Sequence, residues 1–465
     1  MKENKKTAQT DSAAAGRSSF SGRFGYVMAV AGSAVGLGNI WRFPYLAAKY
    51  GGGMFVLVYL LLAITVGYTL MVSETAMGRL TGKSPVGAFA RFGKKPLFKT
   101  SGWFNAVIPM LIAPYYCVIG GWVAKYLFEY LRGNVQPLAD DGYFTGFTRT
   151  AGSMELWFIV FTLLAFLVVI AGVDKGVERV SKIMMPLLIV LAVILAVYSI
   201  TRPGALAGVK YFLVPDFKNF SLMTVVAAMG QMFYSLSIGM GILYTYGSYL
   251  KKDVDIEKST NQVIVFDTGV AVLAGLMIIP AVFAFSGGDP EALQAGPSLM
   301  FITIPKVFAS MGLGTFSGIL FFTLVLFAAL TSAISLFETS VSTFVDELGF
   351  GRVKSCILMG IITLVLGSAS ALGFNVLDFV KILGMSVLDF FDFITNSVMM
   401  PIAAFTTCVL IMRVVGLKKI EDEVEASSAF KRKKMYRVFT KYLVPICLAV
   451  ILFSSIANVF GWIQL

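Results

Sequence analysis

The apolar stretch at about residues 24–48 is interrupted in its middle by glycines and polar side chains. A run of this length and apolarity predicts a membrane-spanning helix. Yet Gly36 and Gly38 each weaken a helix by roughly 1 kcal/mol relative to alanine. Arg42 near the middle of a bilayer is also strongly unfavourable. The sequence therefore predicts a membrane helix that breaks here, around something polar.

The rest of the chain is apolar enough to lie almost wholly in a membrane. Of its 465 residues, 57% are hydrophobic and 14% are charged, whereas about a quarter of a soluble domain is charged. Repeated long apolar runs favour helices over a barrel. The predicted fold is an all-α membrane protein with eleven transmembrane helices, at about residues 24–48, 54–78, 102–130, 154–172, 183–201, 222–249, 261–285, 313–344, 353–373, 376–412 and 440–463.

Basic residues concentrate in alternate loops. They cluster in the N-terminal tail and after spans 2, 4, 6, 8 and 10, whereas the other loops are poorer in Lys and Arg. Basic loops face the cytoplasm, so we expect a cytoplasmic tail at residues 1–22, one multi-pass cell-membrane domain at residues 23–465, and a C-terminus outside. Since topology explains the net charge of +12, no nucleic-acid partner is expected. The expected surrounding is the lipid bilayer, and no obligate protein partner is evident.

The composition argues against catalysis. The chain has no histidine, which excludes a histidine proton relay or a histidine-ligated metal. Its four cysteines lie far apart in or beside apolar segments, as buried small apolar residues do. The pair Gly36 and Gly38 lies in mid-membrane rather than after a strand, so it is not a phosphate-binding loop. We therefore predict no enzyme and no catalytic residue.

A second glycine pair, at residues 238–241, matches the pair at residues 35–38. Small residues also let membrane helices pack closely. Two matching pairs, five spans apart, instead favour broken helices 1 and 6 of a 5+5 inverted repeat, at about residues 24–201 and 222–412, with an extra helix at about 440–463. Each break frees N–H groups that suit a carboxylate and C=O groups that suit a cation.

Residues 32–44 closely resemble the first-helix signature of the neurotransmitter:sodium symporter family. Residues 74–79, 230–241 and 328–332, with Tyr115 and Tyr116, extend the resemblance over nearly the whole chain. The predicted number of spans, eleven, resembles that of bacterial amino-acid transporters of this family with a leucine-transporter-like fold. The resemblance implies sodium-coupled transport of a small molecule.

The family resemblance implies two sodium sites. Neutral oxygens in an apolar span suit a hard cation, although hydroxyls there often bond back to their own helix. Sodium site 1 would use Ala34, Asn39, Ser235 and Asp267 together with the substrate carboxylate. Sodium site 2 would use Gly32, Val35, Ala328, Thr331 and Ser332.

Asp267 departs from the family pattern, in which many members carry Asn there. Ala271 stands where chloride-dependent members carry Ser, although Tyr59, Gln231 and Ser235 resemble other chloride ligands. A lone acid in an apolar helix is functional by default, and its fixed charge would replace a bound chloride. We expect chloride independence. The alternative is a protonated Asp267 bonded only to a neighbouring helix.

The implied substrate pocket is uncharged. Tyr116 would bind the substrate carboxylate, and Tyr234 would lie over the substrate as a lid. Met240 is flexible and can repack, which favours a tolerant pocket for a neutral hydrophobic or aromatic amino acid. The implied substrate-binding residues are Ser33, Ala34, Leu37, Gly38, Ile112, Tyr116, Tyr234, Ser235, Ser237, Met240, Ser332 and Leu336.

Gates are also implied on both sides of the pocket. Outside, Arg42 would pair with Asp392, with Asp389 as the rival partner. The inner gate would comprise Arg17, Asp346 and Tyr249.

The resulting prediction is a sodium-coupled symporter that imports neutral hydrophobic or aromatic L-amino acids by alternating access, without chloride. One alternative is a transporter of another small amine or osmolyte. The other is a non-transporting sensor or channel of the same fold.

Overall fold

The computed structural model of the protein describes residues 18–93, 96–287, 297–310, 312–459 and 462. Within these ranges the chain is helical and holds no β-strand. The helices are α1 Arg23–Ala34, α2 Gly38–Lys49, α3 Gly53–Thr81, α4 Pro85–Phe92, α5 Pro96–Leu131, α6 Val135–Leu138, α7 Asp141–Arg149, α8 Ala151–Ile170, α9 Val173–Ile200, α10 Ala205–Leu213, α11 Leu222–Ser235, α12 Ile242–Ser248, α13 Ile256–Ser286, α14 Leu299–Ser310, α15 Gly314–Leu348, α16 Arg352–Leu372, α17 Val387–Val415, α18 Leu417–Glu425 and α19 Lys433–Asn458.

The predicted all-helical membrane fold is confirmed. Over the described ranges, nine helices are long and apolar enough to cross a membrane, and the bent pair α1 and α2 makes ten. The remaining predicted span, at about residues 222–249, is divided into α11 and α12, of 14 and 7 residues. Neither half is long enough to cross alone. The count of eleven and the inverted repeat therefore stay predictions.

The largest errors in the predicted span boundaries lie at the starts of the fifth and tenth spans. The fifth span begins at Val173 rather than near residue 183, with a wide π-helical first turn over Val173–Glu178. The charged side chains in that turn lowered its hydropathy without ending the helix. The tenth span begins at Val387 rather than near residue 376, because residues 373–386 form turns.

Both predicted helix breaks are present. Helices α1 and α2 are inclined by 56°, and Val35 between them is extended, with φ −75° and ψ 100°. Helix α11 ends at Ser235, and three residues that follow have positive φ: Ser237 at 55°, Gly239 at 74° and Gly241 at 74°. A helix cannot continue through the extended Val35 of the first break or through the left-handed residues of the second, so the backbone hydrogen bonding is interrupted at both places.

The broken helices lie inside the bundle. Helix α1 packs against α9, α13 and α15, and α12 packs against α3 and α15. The approach of α12 to α3 is very close. A Cβ added to Gly78 would lie 2.1 Å from the Tyr244 carbonyl oxygen, and one added to Gly247 would lie 2.4 Å from the Thr75 carbonyl oxygen. This packing fixes the second half of the broken span against its neighbours.

Candidate functional site

The backbone carbonyl groups that are freed where α1 ends lie against helix α15. The Ser332 hydroxyl lies 3.3 Å from the Gly32 carbonyl oxygen, 3.1 Å from that of Ser33 and 3.4 Å from that of Val35. One hydroxyl hydrogen cannot satisfy three acceptors at once. The break therefore presents several oxygens with too few hydrogens, which is the environment that a hard cation prefers.

Thr331 lies beside the same carbonyls. Its Oγ1 donates within its own helix, to the carbonyl oxygens of Phe327 at 3.0 Å and Ala328 at 3.2 Å. A Cβ added to Gly32 would lie 3.1 Å from Thr331 Cβ, so the two residues are in close contact. The structure thus gathers the predicted residues of sodium site 2 where α1 ends against α15. Their role with sodium stays a prediction.

The other predicted sodium set surrounds Asp267 on α13, which is fully buried. Its Oδ1 accepts hydrogen bonds from Asn39 Nδ2 and Ser235 Oγ, both at 2.8 Å. Its Oδ2 accepts one from the Tyr59 hydroxyl at 2.9 Å. Three donors around one carboxyl group suit its ionised, acceptor-only form. Ala34, the fourth member of the set, lines the adjoining cavity.

The N–H end of the first break lies on the other side of the same opening. The Gly36 N–H donates to Asn39 Oδ1 at 3.1 Å, and the Leu37 N–H donates to the Tyr116 hydroxyl at 3.4 Å. Such freed N–H groups favour a carboxylate. Asn39 therefore contacts both the N–H end and the Asp267 cluster, which brings an anion-binding edge beside a cation-binding one.

All twelve predicted substrate-binding residues line one cavity of about 30 Å³. At roughly 10–15 Å³ for each water molecule, this space holds about two waters. An amino acid must therefore widen it. Among the described residues no charged side chain lines it, and three residues join the predicted set: Gly36, Asn39 and Ile242.

Outside the cavity, the predicted pair of Arg42 and Asp392 is not formed. The Arg42 guanidinium lies over the Tyr234 ring, 5.3 Å from its centre, while Asp392 Oδ1 accepts from the Tyr115 hydroxyl at 3.2 Å and Asn396 Nδ2 at 2.6 Å. Among the described side chains, no ion pair within 4.0 Å joins Arg42 to either candidate acid. Arg42 instead contacts the lid residue, and its gating role stays a prediction.

On the inner side, the predicted gate is only partly described, since Arg17 lies outside the described residues. Asp346 Oδ2 accepts from the Ser84 N–H at 2.7 Å. The Tyr249 hydroxyl donates to Glu338 Oε1 at 2.8 Å. Tyr249 therefore ties α12 to α15 below the cavity.

Sequence reasoning gave no role to two buried acids. Glu338 binds Tyr249 and also Arg352 Nη2, at 2.5 Å from Oε2. Glu74 Oε1 accepts the Gly239 N–H at 3.0 Å and so holds the second break open. Both acids are fully buried in apolar helices. A lone acid in such a helix is a signal of function, and it would have identified both residues.

Comparisons with known proteins agree on one family. The family model described as the Sodium:neurotransmitter symporter family matches residues 17–140 and 143–462. The sodium-dependent transporter YhdH of Bacillus subtilis is 34% identical over 93% of this chain and 96% of its own. A sodium-dependent transporter of Haemophilus influenzae is 31% identical over 95% and 98%, respectively. The human sodium- and chloride-dependent GABA transporter 2 is 26% identical over 95% and 80%.

A solved structure gives the same result for the fold. The crystal structure of MhsT in complex with L-phenylalanine has a TM-score of 0.85 to this chain and 36% sequence identity. The match covers 95% of this chain and 100% of that one.

Proposed function

The chain belongs to the sodium:neurotransmitter symporter family, and we propose that it imports neutral hydrophobic or aromatic L-amino acids together with sodium by alternating access. Members of this family are transporters rather than enzymes. The observation that carries the substrate class is the cavity at the two breaks. It joins freed N–H groups and freed carbonyls to walls without charge.

The substrate carboxylate would bind at the start of α2. The N–H groups of Gly36 and Leu37 and the hydroxyl of Tyr116 meet there, and the partial positive charge of a helix N-terminus favours an anion. The substrate side chain would lie against Ile112 and Met240. An acidic or basic side chain would find no opposite charge there and would lose its hydration. MhsT, bound to L-phenylalanine in its crystal structure, supports this class.

Sodium would be carried as a co-substrate at two sites. The carbonyl end at Gly32 and Val35, with Thr331 and Ser332, offers neutral oxygens. The second ion would bind beside Asp267 and share the substrate carboxylate. Sharing couples the two ligands, because each must then raise the affinity for the other by the same factor.

Asp267 is the reason to expect independence from chloride. No ion pair to a described Lys or Arg neutralises its buried carboxylate. The negative charge of Asp267 would therefore balance the positive charge of sodium at the neighbouring site, and no bound chloride would be needed. Uptake with chloride replaced by gluconate tests this directly. We expect unchanged transport, and a large loss would refute the proposal.

Alternating access would use the contacts above and below the cavity. Arg42 over Tyr234 would close the outer side, and Tyr249 with Glu338 would close the inner side. With the N-terminus in the cytoplasm and the C-terminus outside, as the basic loops predict, the outer closure faces the amino-acid source. The two halves at about residues 24–201 and 222–412 would move against each other as inverted repeats.

Binding to the purified protein tests the substrate class. We expect L-phenylalanine and other neutral hydrophobic amino acids to raise the melting temperature in sodium but not in choline. L-glutamate and L-lysine should have no effect. Tyr116→Phe should weaken binding about tenfold or more, since a hydrogen bond to a charged group contributes roughly 1.5–3 kcal/mol. The control is Tyr436→Phe, which removes another buried hydroxyl, 3.0 Å from Ser73 Oγ.

Two other functions make different predictions. A betaine-type osmolyte needs an aromatic cage for its quaternary ammonium, and the described lining of the cavity holds two aromatic rings, those of Tyr116 and Tyr234. Stabilisation by betaine but not by amino acids would favour that function. A sensor or channel would bind amino acids or pass sodium without substrate flux.

A further inference from the structure

A second cavity, of roughly 600 Å³, lies at the start of α13, against the segment that links α18 to α19. It shares no lining residue with the cavity at the helix breaks. The basic loops predict that this side faces the cytoplasm. Its lining is Asp255, Glu257, Lys258, Asn261, Gln262, Val265, Phe266, Ala429, Lys431 and Arg432.

The α13 side of this cavity changes character with depth. Lys258, Gln262 and Val265 follow at helical spacing, so they share one face of the helix. At 1.5 Å per residue, Lys258 and Val265 lie about 10 Å apart along the axis. Val265 is 71% exposed and points away from the bundle. The face thus passes from a cation through an amide to an apolar side chain, in the order of phosphate, glycerol and acyl chain in a phospholipid.

The cations of the cavity lack acidic partners. Throughout the described ranges, no ion pair engages Lys258, Lys431 or Arg432. The Arg432 guanidinium lies 5.1 Å from the centre of the Tyr68 ring, which holds it in place. The adjacent Lys433 pairs with acids of α18. Three cations therefore border one cavity without a direct ion pair, and with the carboxylates of Asp255 and Glu257 the lining carries a net charge of +1.

The two acids of the lining have structural roles. Glu257 accepts the backbone N–H groups of Lys431 at 2.7 Å and Arg432 at 3.2 Å, which fastens the linking segment to α13. Asp255 accepts the Lys258 N–H at 2.9 Å as the cap of α13. Both carboxylates are thus engaged by backbone donors. The cavity keeps three cations against two acids.

We propose that this cavity binds an anionic phospholipid of the adjacent leaflet, with the phosphate among Lys258, Lys431 and Arg432. Basic pockets at this level of a membrane protein suit such headgroups, and charge-assisted hydrogen bonds strengthen the contact. Gln262 borders the cavity, and its Oε1 is buried without a hydrogen-bond partner, so a rotation of the amide would let it accept a headgroup hydroxyl, as in phosphatidylglycerol. The acyl chain of the lipid contacts Val265, whereas a free phosphate has no apolar part to make this contact.

Native mass spectrometry of the full-length protein, titrated with phosphatidylglycerol or phosphatidylcholine, tests the proposal. Lys258→Gln/Lys431→Gln/Arg432→Gln should bind the first phosphatidylglycerol at least fivefold more weakly than the parent, with phosphatidylcholine unchanged. The matched control neutralises three exposed basic residues outside the cavity, Arg413→Gln/Lys418→Gln/Lys434→Gln. It should change the affinity less than twofold. Equal losses in the two triple variants would overturn the site in favour of general surface charge.

Two further arms separate the other outcomes. Inorganic phosphate at about 100-fold molar excess over the lipid should not displace it, because the acyl chain contributes to binding. Displacement by phosphate would show that the cavity binds a free anion rather than a lipid. Lys258→Arg/Lys431→Arg/Arg432→Lys keeps the charges and should keep the affinity within about twofold. If this variant folds and loses binding as the glutamine variant does, positive charge is not what binds the lipid.

Discussion

Replacing Asp267 by asparagine should raise the sodium concentration for half-maximal binding by roughly 30- to 700-fold. Asparagine keeps the shape of the side chain and one acceptor oxygen, which can still accept from Asn39 and Ser235. The Tyr59 hydroxyl can turn and accept from the new amide. The substitution therefore removes a charge and leaves the local packing intact.

The magnitude follows from the burial of that charge. Asp267 is fully buried, and the three hydrogen bonds to it come from neutral groups. Two unit charges about 4 Å apart attract each other by ~4 kcal/mol at an effective dielectric constant of about 20. The neutral amide oxygen retains part of this attraction, which leaves a loss of roughly 2–4 kcal/mol, at 1.4 kcal/mol for each factor of ten.

The assay is a sodium titration of amino-acid binding in chloride-free gluconate buffer at constant ionic strength. Glu74→Gln is the matched control, since Glu74 is equally buried and the amide oxygen of glutamine can still accept the Gly239 N–H. We expect the control to shift half-maximal binding less than threefold. A shift below threefold in Asp267→Asn as well would refute the role of its charge in sodium binding.

Two more substitutions test the packing and sodium site 2. Gly78→Ala places a Cβ 2.1 Å from the Tyr244 carbonyl oxygen and should lower stability by about 1–3 kcal/mol; Gly269→Ala, with nothing within 4 Å of its Cβ, should leave the melting temperature unchanged. Thr331→Val should weaken sodium binding about tenfold. Thr339→Val, which removes a hydroxyl bonded within the same helix, should not, and equal sodium affinities for the two valine variants would contradict sodium site 2.

The breaks could be predicted from the sequence because their causes are local. Gly36 and Gly38 lower helix propensity where they stand, and Gly239 and Gly241 adopt the positive φ that glycine allows. The first helix ends at Ala34, two residues before Gly36, and the second span resumes as a helix at Ile242, one residue after Gly241. The apolar runs likewise predict membrane helices without knowledge of their neighbours.

Contacts between distant helices could not be derived in the same way. The position of Arg42 over Tyr234 depends on the 56° inclination of α2 to α1 and on where α11 ends. The family pattern indicated Asp392 instead. Similarly, Tyr249 contacts Glu338 only because α12 packs against α15. Neither contact can be predicted from the spacing of residues along the chain. The presence of the acid Glu338 in an apolar helix was, however, visible in the sequence.

Uptake into proteoliposomes tests the central claim most directly. The protein is reconstituted in sodium-free vesicles, and labelled L-phenylalanine is added outside with or without an inward sodium gradient. We predict accumulation above the outside concentration with the gradient, and its collapse when an ionophore dissipates that gradient. Uptake that ignores the gradient, or a sodium flux without movement of the amino acid, would contradict sodium-coupled symport.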